Sequence, residues 1–143
     1  MQAGAQHESN GQSVKTSRRF NSIYVQPIAS WLKWRNWEFS VAPRPIAYLN
    51  KDENPDLSRY RGYVEWLISA EPSDDFKFTA YLRKGAGSGY GSMELNASWA
   101  FEDLLRGSGG RLQLQYFNGW GESLLDYNKR RSDQIPVGLM LVP

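Results

Sequence analysis

One short stretch concentrates the residue types that perform nucleophilic chemistry. Residues 7–21 read HESNGQSVKTSRRFN and hold the only histidine in the chain. If residues 3–9 are extended, His7 and Ser9 share a face, because strand side chains alternate. A neighbouring imidazole can take the hydroxyl proton of Ser9 and turn its oxygen into a nucleophile. A third polar group must then hold the ring in one tautomer, a task an amide can perform. Asn21 follows a connection long enough for a hairpin return, which would set it beside His7 on the adjacent strand. The bland reading stands beside this one. Asn10-Gly11 is ordinary turn chemistry, and residues 12–17 would serve equally as a solvated loop.

The elements that must carry these residues have a period of two. In DFKFTAYLR, residues 75–83, Phe76, Phe78, Ala80 and Leu82 oppose Lys77, Thr79, Tyr81 and Arg83. Such alternation marks a two-faced sheet. Residues 93–101 repeat it, with Met93, Leu95, Ala97, Trp99 and Phe101 on one face. Tyr60, Val64, Trp66 and Ile68 oppose Arg59, Arg61 and Glu65; Leu112, Leu114 and Tyr116 oppose Arg111, Gln113 and Gln115. Trp37, Phe39 and Val41 form a similar run, and Ile135, Val137, Leu139 and Leu141 form the last. Turn residues punctuate the runs at 50–56, 71–75, 85–91 and 106–110. Seven or eight strands in an antiparallel meander are expected, with no helix of convincing length.

Two architectures accommodate that pattern. A soluble β-sandwich would turn the apolar face inward. A membrane barrel would turn it outward and gather aromatics at the strand ends, where Trp31, Trp34, Trp37, Tyr48, Tyr60, Trp99, Phe101 and Trp120 fall. In the barrel, Asn21 shares parity with Ile23 and Val25, so the candidate site would face acyl chains. That arrangement suits an enzyme whose substrate is the membrane itself.

Composition trims the alternatives. The 17 Lys+Arg and 15 Asp+Glu nearly balance, so no nucleic-acid partner is expected. Without cysteine there is no disulfide framework and no thiolate metal site. The first ten residues lack the apolar segment of a secretory leader. No apolar run reaches the roughly 18 residues of a membrane helix, but a barrel strand needs only about 10 residues of alternating polarity.

HESNGQSVKTSRRFN resembles the active-site segment of the outer membrane phospholipase A family. NPDLSRYRGY at 54–63 resembles that family's Asn-Pro-Asp loop and the strand after it. GWGESLLDYN at 119–128 resembles its late glycine-rich segment, and VGLML at 137–141 its last strand. The resemblance runs in order from about residue 5 to the C-terminus. It implies an all-β fold, an antiparallel meander forming part of a twelve-stranded transmembrane β-barrel. Residues 1–143 would be the C-terminal half, with the N-terminal strands absent. The implied activity is calcium-dependent hydrolysis of phospholipid and lysophospholipid acyl esters at both glycerol positions, by a homodimer in the bacterial outer membrane. By the same resemblance Ser9 is the nucleophile, His7 the general base and Asn21 the orienting residue. The amides of Ser9 and Gly11 form the oxyanion hole, and the Gln12 carbonyl and Ser17 hydroxyl bind Ca2+. The family often has arginine where this chain has Gln12. A further calcium ligand belongs to the missing half, and the chain alone is expected to be inactive. Two other readings remain: a non-catalytic barrel or pore, and a soluble binding module.

Overall fold

The computed structural model describes residues 1–11, 17–105 and 108–142. Ten strands form one antiparallel sheet: β1 (Gln2–Ser9), β2 (Arg19–Gln26), β3 (Ala29–Trp34), β4 (Trp37–Asn50), β5 (Val64–Glu71), β6 (Phe76–Lys84), β7 (Gly91–Leu105), β8 (Ser108–Trp120), β9 (Arg130–Gln134) and β10 (Val137–Val142). The path runs β1-β2-β4-β5-β6-β7-β8-β10, with β3 also on β4 and β9 also on β8. β2 and β3 flank Pro27 and share β4 as their partner. β9 and β10 flank Pro136 and share β8. Each proline lacks the donor that an unbroken ladder would need. Pro43 and Pro45 in β4 obey the same rule, lying where β4 pairs with β5 but has no partner toward β2 and β3.

The sheet is inverted relative to a water-soluble protein. Ile23, Trp66, Phe78, Leu95, Leu114 and Leu139 are exposed together on its outer face. The inner face carries Arg44, Glu65, Arg83, Asn96, Ser69 and Gln115, half-buried or buried. A soluble sandwich would have to bury the first set, because an exposed apolar face this large is an aggregation hazard in water. Toward lipid the same face is the stable one. On that face, at the end holding the β3–β4 turn, Trp37 stacks near Phe39 and Phe78, and Phe76 stacks on Trp99 at 5.7 Å.

At the opposite end the aromatics do something else. Phe20, Leu57, Leu124 and Tyr127 form a small buried cluster, with Tyr48 and Tyr60 packed against it. Tyr60 also contacts Tyr90 and Trp120. Tyr48, Tyr60 and Trp120 therefore pin loops together rather than ring the outer wall. Tyr60 departs from the strand expectation in a further way: Leu57–Arg61 is a short helix, α1, ended by Gly62. Gly62 has φ 71°, and a Cβ there would lie 1.9 Å from the Lys84 carbonyl oxygen, so only glycine fits.

Candidate active site

β1 and β2 are antiparallel and in register, so His7 sits directly opposite Asn21. The pairing turns both side chains, with Ser9, toward the outer face that Ile23 and Val25 share. His7 Nδ1 lies 2.7 Å from Asn21 Oδ1. An amide oxygen only accepts, so Nδ1 carries the proton and Nε2 keeps its lone pair. Ser9 is two positions along the same strand face, and its Oγ accepts the Gly11 N–H at 3.3 Å. Gly11 takes φ 64°, which glycine adopts at little cost. Its amide thereby points at the hydroxyl oxygen. The connection is closed below this point: Asn10 N–H donates to the Arg18 carbonyl, and Arg18 N–H to Asn10 Oδ1, each at 3.0 Å.

The loop after β4 fixes the other side. Asn54, fully buried, donates its Nδ2 to the Arg19 carbonyl at 2.9 Å. Leu57, also fully buried, packs with Phe20. Both contacts anchor the two residues that precede Asn21. This is the physical content of the Asn-Pro-Asp stretch: its third member, Asp56, accepts the Tyr127 hydroxyl at 2.5 Å. Burial first, and then that hydrogen bond, push the Tyr127 phenol above its ordinary range. In the same late loop, the Lys129 ammonium holds the Asp126 carboxyl below its usual value, Arg131 contributing less.

The candidate metal ligands are only partly within view. Gln12 lies outside the described residues. The Ser17 hydroxyl donates to Glu53 Oε2 at 2.9 Å, and Glu53 pairs with Arg19 at 3.0 Å. Sequence reasoning missed Glu53; the signal was an acidic residue just before Asn-Pro-Asp in a loop facing the candidate site. A hydroxyl and a carboxylate are the hard oxygen donors calcium prefers. Among the described residues no group of three or more His, Asp or Glu side chains is arranged to hold a metal by itself.

A family model described as Phospholipase A1 matches residues 1–141. The chain belongs to the phospholipase A1 family. Phospholipase A1 of Escherichia coli K12 is 34% identical over 141 residues, which cover 99% of this chain and 45% of that protein. A putative phospholipase A1 of Neisseria meningitidis is 33% identical over 143 residues, 96% of this chain and 35% of the relative. The chain thus spans about half the length of the curated relatives it matches, or less. The solved structure of outer membrane phospholipase A from E. coli superposes with a TM-score of 0.79 at 32% identity, covering 99% of this chain and 52% of that one. A calcium-bound dimer of the Salmonella typhi enzyme matches equally well, at 30% identity, over 99% of this chain and 51% of the other. Kinship and the outward apolar face together make this phospholipase A1 family member a protein of the bacterial outer membrane.

Proposed function

We propose that the protein containing this chain hydrolyses phospholipid acyl esters from within the outer membrane, using Ser9, His7 and Asn21. The observation that carries the reading is the 2.7 Å His7–Asn21 contact on a face otherwise built for lipid. A pore needs no oriented imidazole on its outer wall. An apolar recess of about 290 Å³ follows Asn21 down that wall, lined by Ile23, Val25, Pro45 and Ala47. An acyl chain lying there would bring its ester to Ser9.

Ser9 Oγ attacks the ester carbonyl carbon while His7 Nε2 accepts its proton. Asn21 keeps Nδ1 protonated and the ring aimed; being neutral, it adds little charge stabilisation. The Ser9 and Gly11 amides receive the developing oxyanion, donors of a kind worth a few kcal/mol of barrier. His7 returns its proton to the departing alcohol, leaving the acyl group on Ser9. Water, deprotonated by the same ring, then releases the fatty acid. The Ser17 hydroxyl, the Gln12 carbonyl and the Glu53 carboxylate supply oxygen donors for a calcium ion. When bound, that ion would supply positive charge that stabilises the developing oxyanion.

The wider assembly is part of the same proposal. Residues 1–143 are the C-terminal part of a twelve-stranded barrel, supplying the eight strands of the sheet path, and the remaining strands pair with the free edges of β1 and β10. Unpaired edges are not tolerated in lipid, so these residues alone are expected to be inactive. The working form is a calcium-dependent homodimer acting at both glycerol positions and on lysophospholipids. The solved S. typhi relative is itself a calcium-bound dimer, and another E. coli structure is an active-site variant with asparagine replaced by alanine. The test is hydrolysis by the full-length protein, in Ser9→Ala with calcium and in the unmodified protein after chelation. Hydrolysis should vanish in both cases while β-sheet circular dichroism persists; undiminished turnover by Ser9→Ala would remove the reading.

A further inference from the structure

We propose that a ring of hydrogen bonds and ion pairs on the inner face positions the catalytic strand, with Arg61 and Arg44 as positioning residues for His7 and Ser9. The proposal rests on the esterase reading above. His7 and Ser9 project outward, so beyond the backbone ladder to β2 their strand is held by its inward side chains. Those flanking His7 are Gln6 and Glu8, and both are gripped by arginines. Arg61 Nη1 and Nη2 donate to the two Glu8 carboxylate oxygens at 2.9 and 3.2 Å. Arg44 Nη2 donates to Gln6 Oε1 at 2.6 Å.

The two grips are one network. Arg44 pairs with Glu65 at 3.3 Å, and Glu65 with Arg83 at 2.8 Å. Arg83 Nη1 and Arg61 Nε both donate to the Gly121 carbonyl, at 3.2 and 3.0 Å. The circuit therefore runs from Gln6 through Arg44, Glu65, Arg83, Gly121 and Arg61 to Glu8, two residues from where it began, and the backbone of His7 closes it. Shared members couple the bonds, so cutting one loosens both grips. Other ion pairs of the strands, such as Lys33–Glu38 and Lys77–Glu71, are isolated and more exposed.

Two further observations single out Arg61. It is only 8% exposed, and no strand carries it: it comes from α1, across the inner space from β1. The turn at Gly121 is shaped around it. Gly121 has φ 76°, and a Cβ there would lie 2.6 Å from Arg61 Cγ. The planar guanidinium fork matches a carboxylate in a way a lysine cannot.

In the full-length protein with calcium, Arg61→Met and Glu8→Gln should each lower kcat by on the order of tenfold to a hundredfold, because displacements of about 1 Å have that effect. KM should stay within about twofold, since no binding contact to lipid is removed. The double variant should be no worse than the poorer single one, because it leaves no unpaired charge. Arg61→Lys should recover part of the rate. These last two keep the site neutral or paired, so the comparison holds even if Arg61→Met does not fold. Wild-type kcat in the single variants, a double loss equal to the product of the single losses, or a change in KM alone would overturn the proposal. Ser9→Ala in parallel separates the two ideas. If it is inactive while Arg61→Met is fully active, the ring alone fails; if it is active, the catalytic reading fails and the ring's role with it.

Discussion

Replacing Asn21 with alanine tests how much work the orienting amide does. The His7–Asn21 bond is short, at 2.7 Å, and its amide partner carries no charge. Such a bond contributes about 0.5–1.5 kcal/mol net. Its loss frees the ring to rotate and to place its proton on Nε2, the atom that must accept. Since about 1.4 kcal/mol is a factor of ten in rate, kcat should fall about tenfold, with KM nearly unchanged. The backbone pairing of residue 21 with His7 survives the substitution, so the strand register is retained. The assay is initial-rate hydrolysis of a phospholipid in mixed micelles by the full-length variant, with sheet content followed by circular dichroism. A fall of about ten-thousandfold, the scale seen when a triad carboxylate is neutralised, would refute the argument that a neutral amide only orients. An unchanged rate would refute the contact's role altogether.

Two other consequences concern the scaffold. Tyr127 is 6% exposed and bonded to Asp56, and its phenol is pushed upward by burial and by that bond. A raised value in the folded state means the contribution is complete below about pH 10, the unfolded phenol's range, and is lost only as pH rises through the higher folded value. Tyrosinate absorbance should therefore keep a late component at strongly alkaline pH, and Tyr127→Phe should reduce that component by one phenol. The same variant should weaken the 121–129 loop by about 1.5–3 kcal/mol, the range for bonds to charged groups, read as faster amide exchange at neutral pH. On the outer wall, Leu114 is 48% exposed in mid-strand, opposite Ala97 and Val137. Leu114→Arg should cost about 2–4 kcal/mol of stability in vesicles, whereas Gln115→Arg on the inner face should be tolerated; equal effects would contradict the assignment of faces.

Much of the sheet was legible because its faces alternate without interruption. Phe76 to Leu82 and Met93 to Phe101 name one face unambiguously, and the structure places both runs in strands, β6 and β7. What alternation could not decide was which side met lipid, since a sandwich and a barrel share the period. That answer lies in tertiary closure, visible only when Ile68, Phe78 and Leu95 are found exposed beside one another. The helix at 57–61 escaped notice because five residues are too few to show a 3.6-residue period, and because Tyr60 happens to match the parity of Val64 and Trp66. The prolines of β4 were also silent: sequence alone does not reveal that the strand loses a neighbour at 42–45. At the site, a two-residue spacing and a hairpin-length connection sufficed to bring His7, Ser9 and Asn21 into consideration. Glu53, Asn54 and Arg61 bond to Ser17, Arg19 and Glu8 beside them, across 36, 35 and 53 positions, and needed coordinates to be found.

Hydrolysis by this site requires an activated hydroxyl at one position, Ser9. Treating the full-length, calcium-loaded protein with a phosphonate that esterifies activated serines, and mapping the adduct by peptide mass spectrometry, addresses that directly. The expected result is stoichiometric labelling of Ser9, lost in Asn21→Ala in proportion to kcat and absent after chelation. Labelling of a different serine with complete loss of hydrolysis, or no adduct on Ser9 in a protein that still cleaves lipid, would contradict it.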